Sequence, residues 1–240
     1  MSVFSEIMTP HQTRQILGND FSQDLANRVE KHLGIDVIVL PLEKPGYSLQ
    51  LGNRHVIVVG ATDRWFRSNF TIAHELGHIL LPSASSDGSR CGEDAANAFA
   101  AELLMPTFYI RSVSWTEPDP SLIAERIWMM GVSTRALSAR LDYLRPPVSD
   151  AVRSILKTPT PRLIRESLLS SVASSDDVTE RMALSARRRF PQRLLTDLRK
   201  AVEAGRAPHA SLAWALGVPG EEETDESSEE LSLDLLDGLV

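Results

Sequence analysis

His74 and His78 stand four residues apart inside residues 69–81, a stretch apolar and long enough for a buried helix, and Glu75 follows the first of them. On a helix this spacing places both imidazoles on nearly one face, so His74-Glu75-Leu76-Gly77-His78 can offer two nitrogens to a single metal ion. Glu75 is turned about 100° from His74, where it can address a metal-activated water without ligating the metal. A catalytic zinc takes three protein ligands and keeps a fourth position open. The fold must therefore bury this helix and bring a third ligand to it from another element.

The extended pattern H-E-x-x-H-x-x-G-x-x-H is excluded, because Leu81 stands at its glycine and Ala84 at its third histidine. A carboxylate on the following helix is the alternative, giving a His₂Glu site. Residues 92–105 (GEDAANAFAAELLM) are alanine-rich, lack internal Gly and Pro, and stop at Pro106, the marks of a second helix. This helix carries three acids: Glu93, Asp94 and Glu102. Helical geometry favours Glu93, which shares a face with Asn97 one turn on, so the amide can support a ligand histidine. Asp94 is shorter and points about 100° away, and Glu102 lies about two and a half turns further on. Cys91 could place a thiolate at the open position and hold an enzyme latent; the simpler reading is an incidental thiol.

Ahead of the motif, residues 21–33 carry apolar side chains at helical spacing and end at Gly34. Residues 36–42, 47–51 and 55–61 read as strands, with Gly52-Asn53 as a turn. The 55–61 strand could present an edge to an extended substrate, and His55 reads as a surface strand residue rather than a ligand. Residues 121–130, 133–144, 162–172, 178–188, 191–204 and 209–216 are helical by period, and 157–161 (KTPTP) is the best linker candidate. A helix, strands, two helices and then helices only make an α+β chain. The expected organisation is an extension over 1–20, a metallopeptidase-like core over 21–112, a helix-turn-helix-like subdomain over 113–156, a helical region over 157–220 and an acidic, disordered tail over 221–240. The four tryptophans, Trp65, Trp115, Trp128 and Trp214, read as packing residues.

The net charge of −7 conceals an asymmetry. Residues 221–240 hold nine acids and no base, leaving 25 bases against 23 acids in the first 220 residues. Residues 181–200 carry seven bases and one acid, Asp197; this segment could dock the acidic tail or an acidic partner. Arg187 to Arg189 read as a solvated face. The 133–144 segment and its flank supply only Arg135, Arg140 and Arg145, so direct DNA binding is possible but not favoured over a helical pair packed on the core. No apolar run approaches the roughly 20 residues of a membrane span. The amino terminus lacks the pattern of a secretory signal, and one cysteine excludes a cysteine-rich zinc module. The expected location is the cytoplasm, without membrane association.

FTIAHELGHILL (70–81) followed by EDAANAFAAELLMP (93–106) resembles the ImmA/IrrE metallo-endopeptidase family. The strand-rich residues before and VSTRALSARLDYL (132–144) after also fit, so the resemblance covers about residues 21–145. It implies a zincin-like, gluzincin-type fold with a small antiparallel or mixed sheet, His74, His78 and Glu93 as ligands, and Glu75 as general base. It implies one Zn²⁺ per chain, with Mn²⁺ or Fe²⁺ as lesser alternatives. It further implies a protein substrate, an XRE-type helix-turn-helix repressor, whose cleavage derepresses genes of a mobile element, a toxin-antitoxin pair or a stress response. Many relatives carry His where Pro82 stands here; that position is not one of the three ligands. The competing expectation is a non-proteolytic regulatory protein, binding DNA or protein, that keeps a structural metal site. Glu75 argues against it, since a structural zinc needs no such carboxylate and closes its fourth position.

Overall fold

The computed structural model describes residues 8–81, 90–167 and 175–218. The chain divides into two compact units, Met1–Pro191 and Gln192–Val240. In the first, α1 (Pro10–Leu17), a 3-10 turn (Phe21–Gln23) and α2 (Leu25–Leu33) lead to β1 (Asp36–Leu40), β2 (Gly46–Leu51) and β3 (Arg54–Gly60). Then follow α3 (Trp65–Leu80), α4 (Arg90–Leu104), α5 (Thr107–Ser112), α6 (Pro120–Met130), α7 (Thr134–Leu144), α8 (Asp150–Ile155), α9 (Thr160–Ser167) and α10 (Ser175–Ala186). The second unit holds α11 (Gln192–Glu203), which buries Leu195 and Val202, and α12 (His209–Leu216). The fold is α+β with a small mixed sheet, as a zincin-like domain requires.

The sheet order is β1-β3-β2, with β3 parallel to β1 and antiparallel to β2. Val56, Ile57, Val58 and Val59 are all buried, because a central strand covered on both faces needs a continuous apolar run. The expectation that β3 offers an edge to substrate is therefore wrong. The outer side of β1 is taken up by a two-way bridge, Val39 N–H to the Arg189 carbonyl at 2.9 Å and Arg189 N–H to the Val39 carbonyl at 3.0 Å. Among the described residues nothing pairs with the outer side of β2. Gly60 N–H donates to the Pro45 carbonyl at 2.8 Å, which sets the alternation along the register. Tyr47, Leu49 and Leu51 bond inward to β3, while Gly46, Ser48 and Gln50 turn their N–H and C=O groups outward.

The core is built by α3 and α4. Leu76 and Leu80 of α3 meet Phe99, Ala100 and Leu103 of α4 in one cluster. Gly77 allows the close approach: a Cβ there would lie 2.9 Å from Ala96 Cα and 3.2 Å from the Ala96 carbonyl. Helix α3 begins at Trp65 rather than 69 because Trp65 and Asn69, a turn apart at its start, are both buried. Trp65 stacks edge-on against Trp128 at 5.4 Å, and the Asn69 amide donates to the Ser22 and Gly131 carbonyls at 2.8 and 3.2 Å. Gly131 sits at φ 65°, and a Cβ would fall 2.5 Å from that amide, so the sharp α6–α7 turn requires glycine.

Several expectations are corrected. Residues 10–17, assigned to an extension, form α1, capped by a reciprocal Thr9–Gln12 box, with Leu17 and Thr13 fully buried. Residues 21–33 split into a 3-10 turn and α2 around Asp24. Helices α5 and α8 have six residues each, too few to show a period. The KTPTP run is no linker: Thr134 N–H donates to Thr160 Oγ1 and Thr134 Oγ1 to the Thr158 carbonyl, both at 3.0 Å. Arg189 is not on a solvated face, since it pairs with Glu30 at 2.7 Å. Arg181 stacks over Trp128 at 3.6 Å and Trp65 at 5.4 Å; burial pushes its pKa down to about 10, against the attraction of Asp177. Trp214 is half exposed rather than packed. Pro82, Ala84 and the 221–240 tail lie outside the described residues. No helix among the described residues is long and apolar enough to cross a membrane.

Candidate metal centre

On α3 the i, i+4 spacing brings His74 Nε2 within 3.1 Å of His78 Nε2, with the rings 4.7 Å apart and nearly perpendicular. Glu93, in the first turn of α4, places Oε2 3.3 Å from His74 Nε2 and Oε1 3.4 Å from His78 Nε2. Two imidazole nitrogens and the two oxygens of one carboxylate thus converge. Tetrahedral zinc with ligands at about 2.0–2.1 Å sets its donors roughly 3.3 Å apart. The three separations match that spacing, so the donor set fits zinc and leaves a fourth position open.

Asn97, one turn after Glu93, brings Oδ1 to 3.0 Å from His74 Nδ1. An amide oxygen only accepts, so Nδ1 carries the proton and Nε2 presents its lone pair to the centre. Glu75 is 7% exposed. It lines the same cleft of about 480 Å³ as the two histidines and Glu93, and Gly46, Tyr47 and Ser48 of β2 form the opposite wall. Gly46 permits this: a Cβ would sit 2.6 Å from Thr71 Cγ2, one turn before His74. The free edge of β2 therefore runs beside the converging donors.

The other candidates stand elsewhere. Asp94 is exposed and lines a neighbouring groove. Glu102 accepts from Thr107 N–H at 2.9 Å and Thr107 Oγ1 at 2.7 Å, and pairs with Arg140. Burial works to raise its pKa, but the Thr107 bonds and Arg140 outweigh this and hold it below the usual carboxylate value. Arg140, 7% exposed, is committed to that cluster and to the Met105 carbonyl at 3.0 Å, so it has no free head for a phosphate. Cys91 is exposed and outside the His74–His78–Glu93 group, as is His55. The β2 wall of the cleft was missed, because strand order is not written in the spacing of any motif.

Residues 30–142 match the family model of the IrrE N-terminal-like domain, a peptidase family. This segment is an IrrE N-terminal-like domain. Its bounds run from the end of α2 into α7, so the IrrE N-terminal-like domain contains the whole sheet, both core helices and every residue of the centre. No curated protein and no solved structure matches the chain.

Proposed function

We propose that the protein is a cytoplasmic, zinc-dependent endopeptidase whose substrate is a specific protein, an XRE-type helix-turn-helix repressor, cleaved to derepress the genes it silences. The observation that carries the enzymatic part is the convergence of His74, His78 and Glu93 at 3.1–3.4 Å beside a buried Glu75 in an open cleft. His74, His78 and Glu93 hold the metal, and Asn97 orients His74. A bound zinc supplies Lewis acidity, activating water and polarising the scissile carbonyl. Glu75 accepts the proton of the attacking water and delivers it to the leaving amine. The outward N–H and C=O groups of Gly46 and Ser48 pair with an extended substrate and align its scissile bond with the cleft.

The test is the metal content of the purified protein beside His78→Ala and Glu75→Gln. About one zinc per chain, lost in His78→Ala and retained in Glu75→Gln, supports a centre with an open position. Glu75→Gln then serves as a trap that holds uncleaved repressor. A metal content indifferent to His78→Ala sinks the proposal; manganese or iron in place of zinc changes only the resident ion.

A further inference from the structure

Next to the cleft, and sharing Phe70, Thr71 and Asn97 with it, lies a groove of about 1370 Å³ between α3, α4 and α7. Its walls are unusually bare. Ala98 and Ala101 project from α4, and Ala136 and Ala139 from α7, over a floor that includes Phe66 and Met105. Ala98 and Ala139 are exposed, so methyl groups stand where longer side chains would close the space. Three arginines from three helices surround it: Arg67 on α3, Arg111 on α5 and Arg135 on α7, all exposed. None has an ion-pair partner among the described residues, whereas Arg140 and Glu102 neutralise each other. Asp94 is the one remaining acid on the lining.

We infer that this groove is a docking site, separate from the scissile-bond cleft, for an amphipathic helix of the protein substrate that carries acidic residues beside its apolar face. The inference rests on the endopeptidase reading. Three observations select this occupant. The walls are helices whose backbone groups are satisfied internally, so an extended peptide would leave its own N–H and C=O groups facing methyl groups, whereas a helix brings its bonds with it. The volume suits about three turns of a helix 10 Å across. The unneutralised arginines call for carboxylates on the flank of that helix. Docking here would deliver the adjoining extended segment to the β2 edge through the shared end of the groove.

The test measures the fluorescence anisotropy of a labelled 18-residue helical peptide, with leucines along one face and glutamates beside them, against a version with lysines for glutamates. The full chain is expected to bind the glutamate peptide at least tenfold more tightly than the lysine peptide, and to weaken as salt is raised. Ala139→Trp fills the groove, and Arg111→Glu with Arg135→Glu reverses its rim; each is expected to cost at least tenfold in affinity. Both changes sit on exposed positions, and the two variants are independent, so a folding failure in one leaves the other decisive. Equal binding of the two peptides, or affinity indifferent to both variants, overturns the inference. A dimer of the protein alone that Ala139→Trp dissolves would assign the groove to a second copy and overturn it equally. Hydrolysis of a short unstructured peptide separates the two readings: it should vanish in Glu75→Gln and persist in the groove variants. Groove binding without any hydrolysis would refute the endopeptidase reading and leave the groove standing.

Discussion

Asn97 Oδ1 lies 3.0 Å from Nδ1 of His74, from the same face of α4 that presents Glu93. One helix face thus supplies both a donor to the centre and the group that sets the tautomer of another. Removing such an outer hydrogen bond from a metal ligand typically costs 10–100-fold in metal affinity. Asn97→Ala should fall in that range with thermal stability little changed, since the residue is exposed. A competition titration with a zinc chelator measures it; an affinity equal to wild type would show that His74 is oriented by something else.

Gly77 faces the backbone of Ala96, and the obstacle a methyl group would meet there is main chain. Alanine gains about 1 kcal/mol in helix propensity, while overpacking a core costs about 1–3 kcal/mol. A clash with backbone sits toward the upper end, so Gly77→Ala should be less stable by about 1–2 kcal/mol in chemical denaturation. The same displacement of α4 moves Glu93, so zinc affinity should fall with stability. Unchanged stability and affinity together would refute the close approach as the reason for this glycine.

Glu102 links the end of α4 to the start of α5 and to Arg140 on α7. Its pKa is held below the usual value in the folded chain. A carboxylate depressed on folding contributes stability above its unfolded pKa, about 4.3, and loses that contribution as pH falls through the folded value. Glu102→Gln should therefore melt below wild type at pH 7, with the gap closing below about pH 4. Melting curves from pH 7 to pH 3 test this, and a gap constant with pH would mean that the charge of Glu102 does not matter.

The helix pair and the convergence of His74, His78 and Glu93 were legible because the pattern is local. His74 and His78 are related by one turn of α3, and Glu93 and Asn97 by one turn of α4. Helix α1 was missed although its signal is local: Thr9-Pro10-His11-Gln12 is a capping box with proline in the first turn. The rest of what escaped is mostly long-range. Arg189 caps the edge of β1 from about 150 residues away, and Arg181 fills the space over Trp128, pairings that no local pattern encodes. The central place of β3 had a partial signal in its unbroken Val56–Val59 run. That run contrasts with the mixed burial of β2, the strand that lies at the edge.

Ser48 lies opposite Ile57 in a pair that exchanges no hydrogen bonds with β3, so its N–H points away from the sheet, beside the cleft. Proline is tolerated on an edge strand where the lost N–H faces outward. Ser48→Pro should match wild type in metal content and stability yet bind an extended peptide substrate less well, by about 1 kcal/mol or a factor of five to ten in KM for one lost hydrogen bond. Tyr47→Pro, one residue earlier, removes a bond to Val58 instead, and should destabilise the sheet. The pair separates a substrate-binding edge from a merely structural strand. If Ser48→Pro cleaves with an unaltered KM, substrate does not add to β2. If it also loses stability, its N–H is engaged within the sheet and the outward alternation is wrong.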